Sequence, residues 1–110
     1  VADMLRDMGA ELQEDVILRD AGGYTADIVL PSQSVVVEVD GPKHFVWADG
    51  SWKANGATVV KRQQLRAFGH PVVSVDVHEW SRLAAPDLQR QYLRDSLLGV
   101  LARDQAEPAQ

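Results

Sequence analysis

The chain predicts an α/β fold, a mixed sheet flanked by helices in the order αβββαβα. Three observations predict it. Short apolar runs at Tyr24–Leu30, around Glu38 and at Val72–Val77 are bounded by Gly, Pro or Ser, as strands are. Apolar residues recur at helical spacing at both ends, through Met4, Leu5, Met8 and Leu12 and again from Leu88 to Leu101. Between them, the step from Glu38 through Leu65 to Val75 reads strand–helix–strand, a right-handed crossover that packs a helix onto a sheet.

Taken in order, Ala2–Leu12 is a short amphipathic helix. Val16–Arg19 is a short strand, and Ala21-Gly22-Gly23 turns into the strand Tyr24–Leu30. Pro31-Ser32-Gln33-Ser34 is turn material leading to the strand that carries Glu38 and Asp40. Asp40-Gly41-Pro42 ends it, because Gly and Pro continue a central ladder poorly. Phe45–Ala57 reads as a loop. Thr58 is the expected N-cap of a helix over Val59–Phe68, closed by Gly69. After His70-Pro71 comes the strand Val72–Val77. A last helical region starts near His78–Leu83, with Pro86 at a first helical position and Leu88, Tyr92, Leu93, Leu97, Leu98 and Leu101 as its buried stripe. Residues 1–104 form one domain and 105–110 a flexible tail.

The length suits a single core. There is no cysteine, which excludes disulfides and thiolate metal sites. No apolar run is long enough to span a membrane, and no targeting pattern is present. The chain opens on Val1 rather than Met, as a piece of a larger protein would. The net charge of −5 disfavours binding nucleic acid by bulk electrostatics. Its distribution is uneven, however. Asp3, Asp7, Glu11, Glu14, Asp15 and Asp20 crowd the front, whereas Lys43, Lys53, Lys61, Arg62 and Arg66 are met only by Asp49. A basic middle of this kind can grip a phosphate backbone locally.

Val-Val-Glu-Val-Asp-Gly-Pro-Lys-His-Phe, over Val36–Phe45, is the most informative stretch. Alternation sends Glu38 and Asp40 to one face of a strand otherwise built of valine. Burying an unpaired carboxylate costs several kcal/mol. A metal ion or basic side chains must therefore stand in front of them. If Pro31–Ser34 forms a four-residue hairpin loop, Leu30 faces Val35 and Asp27 faces Glu38, with Cβ atoms roughly 5 Å apart. Two such carboxylates share a proton or a cation. Lys61, Leu65 and Phe68 share a helix face, so Leu65 and Phe68 pack on the sheet and Lys61 is drawn to the same side in the first turn. Arg62 and Arg66 lie on an adjoining stripe facing solvent.

Asp27, Glu38 and Asp40 are thus candidate hard oxygen ligands for Mg²⁺ or Mn²⁺, with no organic cofactor, and Lys61 or His44 could assist at a scissile phosphate. The alternative is a carboxylate pair held by Lys61, Arg62 or backbone amides at a strand end, with Asp27 in a turn or ion pair and His44 in a structural hydrogen bond. Trp47 and Trp52, near Lys43 and Lys53, suit stacking on unpaired bases, or else cover the core as a lid. Trp80 reads as core.

Asp-Ile-Val-Leu-Pro (Asp27–Pro31), Glu-Val-Asp-Gly-Pro-Lys-His-Phe (Glu38–Phe45), Gly-Ala-Thr-Val-Val-Lys-Arg-Gln-Gln-Leu (Gly56–Leu65) and Gly-His-Pro-Val-Val-Ser-Val-Asp-Val-His-Glu-Trp (Gly69–Trp80) closely resemble the RAP domain. The likeness spans about Asp15 to Leu101. It implies a restriction-endonuclease-like, PD-(D/E)xK-type core with Asp27 as first acid and Glu38 as second. It also implies a C-terminal module of mitochondrial or chloroplast proteins that act on RNA, behind helical-repeat modules. The sequence departs from the nuclease signature at one place: two residues after the second acid stands Asp40, not Lys. Lys61 could supply the missing charge, the site could bind without cutting, or Asp40 could serve as the extra acid of one nuclease branch.

Three functions follow as expectations. One is an RNA-binding domain, with single-stranded RNA as partner and Lys43, His44, Trp47, Lys53, Arg62 and Arg66 as contacts. The second is a metal-dependent endoribonuclease using Asp27, Glu38, Asp40 and Lys61. The third is an interaction module that keeps the fold and has lost the site.

Overall fold

The computed structural model describes residues 1–41 and 45–106. A helix α1 (Ala2–Asp7) leads into strands β1 (Gln13–Leu18), β2 (Tyr24–Leu30) and β3 (Val35–Asp40). A hairpin of β4 (Phe45–Ala48) and β5 (Ser51–Ala54) follows, then helix α2 (Gly56–Ala67), strand β6 (Val72–Asp76) and helices α3 (Val77–Arg82) and α4 (Pro86–Ala106). The main sheet is mixed, in the order β1-β2-β3-β6, with β3 and β6 parallel and the other pairs antiparallel. The α/β architecture with a mixed sheet flanked by helices is the one the sequence predicts.

The turn between β2 and β3 sets the register on which the site depends. Pro31–Gln33 make one 3₁₀ turn, and Ser34 closes it in the left-handed region at φ 57°. Leu30 then faces Val35, Val29 faces Val36 and Ile28 faces Val37, as the four-residue loop requires. On the far side of β3, Glu38 is level with Ser74 and Asp40 with Asp76.

The sheet has a core on each face. Leu5, Ile28, Leu30, Val35, Val37, Val73, Val75 and Leu93 are buried together, with Trp80, Leu97 and Leu101 packed against them, so α1, α3 and α4 cover this side. Leu65 of α2 is buried with Leu18, Ala26, Val29, Val36 and Val72 on the other. Fully burying one such side chain stabilises the fold by about 1.5–3 kcal/mol.

Several elements differ from expectation. Helix α1 stops at Asp7, not Leu12, because Gly9 takes the left-handed φ of 88° and its N–H turns back to the Arg6 carbonyl. The stretch read as a loop over Phe45–Ala57 contains the β4–β5 hairpin. Its turn is Asp49-Gly50 with φ of 52° and 78°, the positive angles that a type I′ turn needs. The cap of α2 is Asn55, whose side chain accepts the Thr58 N–H at 2.9 Å, so the helix starts three residues before the expected Val59. Phe68, the C-cap residue, is 54% exposed rather than packed on the sheet; three residues on from buried Leu65, it lies about 60° to one side of that buried line. Leu88 and Leu98 are exposed as well. Each lies five residues from buried Leu93, about 140° around the helix. Helix α4 runs through Ala106, into the segment expected as a tail, and residues 107–110 lie outside the described residues. Among the described residues no helix is long and apolar enough to cross a membrane.

Candidate functional site

Along β3 the residues facing α2 change from Val36 to Glu38 and Asp40. Val36 packs with Leu65, whereas Glu38 and Asp40 are almost fully buried, at 6% and 2% exposure. Lys61 and Arg62 stand four and three residues before Leu65, so they flank its buried line from either side. Each takes one acid. Lys61 Nζ pairs with Glu38 Oε1, and Arg62 Nη2 pairs with Asp40 Oδ2. This corrects the placing of Arg62 on a solvent-facing stripe: its side chain is largely covered, while Arg66 does face solvent.

Neither cation is held by its carboxylate alone. Lys61 donates to the Thr25 carbonyl at 2.7 Å and lies 6.0 Å from the centre of the Tyr24 ring. Tyr24 in turn donates its hydroxyl hydrogen to Gln64 on the next turn of α2. Arg62 donates to the Ser74 hydroxyl at 2.7 Å, and Ser74 donates on to Asp40. Ser74 was not among the residues the sequence singled out. Its signal was a polar residue interrupting the apolar run Val72–Val75, on the face of β6 that meets α2.

Asp27 sits where β2 and β3 part. The paired residues end at Ile28 and Val37, and side chains continue the pattern. The Asp27 N–H donates to Glu38 Oε2 at 3.2 Å, and the Val39 N–H donates to Asp27 Oδ2 at 2.9 Å. The alternation of β2 also breaks here. Ile28 belongs to the core under α4 and Ala26, two residues away, to the core under α2. Opposite, between the pairs Glu14–Ile28 and Val16–Ala26, Asp15 takes a left-handed φ of 52°. Asp27 accordingly also borders the open pocket beside α1, with Asp3, Arg6, Glu14 and Asp15.

Burial holds the Glu38 carboxyl above the usual glutamate range. The Lys61 ammonium and the Asp27 amide pull it back down, and the Asp27 charge adds to the rise. The structure therefore brings Asp27, Glu38, Asp40, Lys61 and Arg62 to one end of the β2–β3–α2 layer. Among the described residues, no three His, Asp or Glu side chains are grouped as they would be around a metal ion. In the described residues these acids are held by Lys61, Arg62 and backbone amides.

The remaining candidates lie elsewhere. Lys43 and His44 are outside the described residues. Lys53 on β5 is half exposed, 3.5 Å from Asp49. Trp47 on β4 is 62% exposed, and the Trp52 side chain lies outside the described residues. Trp80 packs against the α4 side in an edge-to-face contact with Tyr92, ring centres 6.2 Å apart.

With this geometry in place, comparisons with known proteins are informative. The catalytic domain of the homing endonuclease I-Bth0305I superposes with a TM-score of 0.62, covering 90% of each chain at 16% sequence identity. That likeness shows a shared endonuclease-like α/β fold. A RAP domain-containing protein, chloroplastic, from Oryza sativa subsp. japonica is 39% identical over 72 residues. The aligned part is 66% of this chain and 11% of the rice protein. The family model of the RAP domain matches residues 37–96, from β3 into α4, which includes Glu38, Asp40, Lys61, Arg62 and Ser74. The chain belongs to the RAP domain family.

Proposed function

We propose that this chain is an RNA-binding domain of an organellar factor for RNA processing, stability or translation, and that its nuclease-like core holds RNA rather than cutting it. The observation that carries the reading is the double pairing of Glu38 with Lys61 and Asp40 with Arg62. At the C-terminal end of β3, α2 brings one cation to each carboxylate. The paired charges cancel locally, so a phosphate meets the partly exposed Lys61 ammonium without a wall of bare carboxylates. Asp40, which by the resemblance falls where the nuclease signature has Lys, pairs with Arg62 and so ties β3 to α2. With a net charge of −5 the domain supplies modest affinity, and helical-repeat modules of the same parent protein supply the rest. The chloroplastic description of the rice relative supports an organellar setting.

A second reading, a metal-dependent endoribonuclease, has its support in the endonuclease-like fold and in the contact between Asp27 and Glu38. It requires Asp27, Glu38 and Asp40 to turn onto one Mg²⁺ or Mn²⁺ ion, and Arg62 to release Asp40. Filter binding of this chain to single-stranded RNA, with and without Mn²⁺, separates the readings. Weak binding that fades with added salt, and an RNA that stays intact, is the expected result. Tight binding indifferent to salt contradicts the electrostatic argument. Cleavage by the wild type that disappears in Glu38→Ala establishes the enzyme instead. RNA-dependent activity of the parent protein that is unchanged when Lys61, Arg62 and His44 are replaced would leave an interaction module.

A further inference from the structure

We infer that the β4–β5 hairpin is an arm that takes an unpaired RNA base on Trp47, an inference that rests on the RNA-binding reading above. The hairpin strands pair with each other and not with the four-stranded sheet. They leave β3 shortly after Asp40 and run into Asn55, the cap of α2, so the arm is rooted between the two elements that build the ion-paired site. Asp49-Gly50 makes its tip a tight two-residue turn, which fixes the strands in register, with Trp47 level with Trp52 and Val46 with Lys53. Strands held in register by this turn present the ring of Trp47 at a defined place on the arm.

Trp47 is the most exposed large hydrophobic residue of the described part, at 62%. An indole there contributes little to a core, and its flat face suits a nucleobase. The surroundings choose the occupant. From Lys43 to Arg66 the sequence holds five Lys and Arg against one acid, Asp49, although the whole chain is acidic. An aromatic face set in a basic segment complements a base attached to a phosphate, which is one nucleotide of a single strand. A duplex hides its base faces in its own stack and offers none to such an arm. The bound strand thus runs from the Lys61 end of α2 onto the hairpin, phosphate at the first and base on the second.

The test is fluorescence anisotropy with a labelled oligouridylate of about twelve nucleotides, within the span that single-strand binding folds cover. Trp47→Ala is expected to weaken binding about tenfold, since a base–aromatic stack is worth about fivefold to a hundredfold. Trp47→Phe should recover most of the loss and Trp47→Leu should not, because an apolar side chain lacks the flat face. A strand of the same length built of abasic sugar-phosphate units should bind wild type and Trp47→Ala alike. Equal affinity of wild type and Trp47→Ala for the oligouridylate overturns the arm while RNA binding itself stands. Loss by Trp47→Ala of the abasic strand as well overturns stacking. Failure of the wild type to bind any RNA removes the arm and the reading beneath it together.

Discussion

The two faces of β3 solve the same burial problem in different ways. On one face the side chains of Val35, Val37 and Val39 pack under α1 and α4 by apolar contact. On the other, Val36 begins in the same manner under Leu65, and then Glu38 and Asp40 take over toward the C-terminal end of the strand. The apolar face is non-directional, and its strength follows the area removed from water. The polar end is directional, because each carboxylate accepts from particular partners: Lys61 and the Asp27 N–H for Glu38, Arg62 and Ser74 for Asp40. Ion pairs of this kind are weak stabilisers compared with well-packed hydrophobic residues of the same volume, yet costly to break by removing one partner. At this strand end beside a helix start, specific partners stand where the opposite face has apolar packing.

That contrast can be broken from either side. Arg62→Ala should produce the largest effect, a loss of about 4 kcal/mol, because it leaves the buried Asp40 carboxylate, among the described residues, with the Ser74 hydroxyl and no cation. Urea denaturation measures it. The double variant Asp40→Ala with Arg62→Ala should lose clearly less than the two single losses added together. Strict additivity would mean that the pair is not coupled, and the polar end would then be no different in kind from the rest of the surface. Next in size is Leu93→Ala on the apolar face, about 3 kcal/mol, since Leu93 is fully buried among Leu5, Val35 and Val73. Here no second substitution should restore what is lost. A Leu93→Met variant, near in volume, should cost less than half as much, which a site governed by specific partners would not show.

How much of this could be read from residues alone follows the same division. The acid positions were legible because alternation is strict: a hairpin loop of known length fixes Leu30 opposite Val35 and so Asp27 against Glu38. The helix side was legible for Lys61 and Leu65, four apart, and misleading for Arg62. A long arginine can reach under a helix from a flanking position, and spacing alone does not say which way it bends. Ser74 was missed for a related reason, as its role depends on a parallel register between strands separated by the whole hairpin and α2. The hairpin itself was legible in Asp49-Gly50 between two short runs with tryptophans, a strong turn signal that the surrounding Gly and Asn obscured. Asn55 and Thr58 are both competent caps, and only the geometry shows that Thr58 is the donor and Asn55 the acceptor.

The smallest expected effect is the most specific to the polar end. Burial raises the Glu38 pKa above its ordinary value near 4.5, so the folded state binds that proton more tightly than the unfolded chain does. Such a group lends stability in acid, and the contribution is lost as pH rises through the raised folded value. Glu38→Gln has no proton to lose there, and its amide oxygen can still accept the Asp27 N–H. The melting temperature of Glu38→Gln relative to wild type should therefore climb as pH goes from below 4.5 toward neutrality. A difference that stays flat, or that falls with rising pH, would show that Lys61 outweighs burial and that Glu38 is held as a full carboxylate across the range. In that case the ion pair would be the stronger partner of the two forces acting on Glu38, and the polar end of β3 would be a stabilising feature and not a retained site.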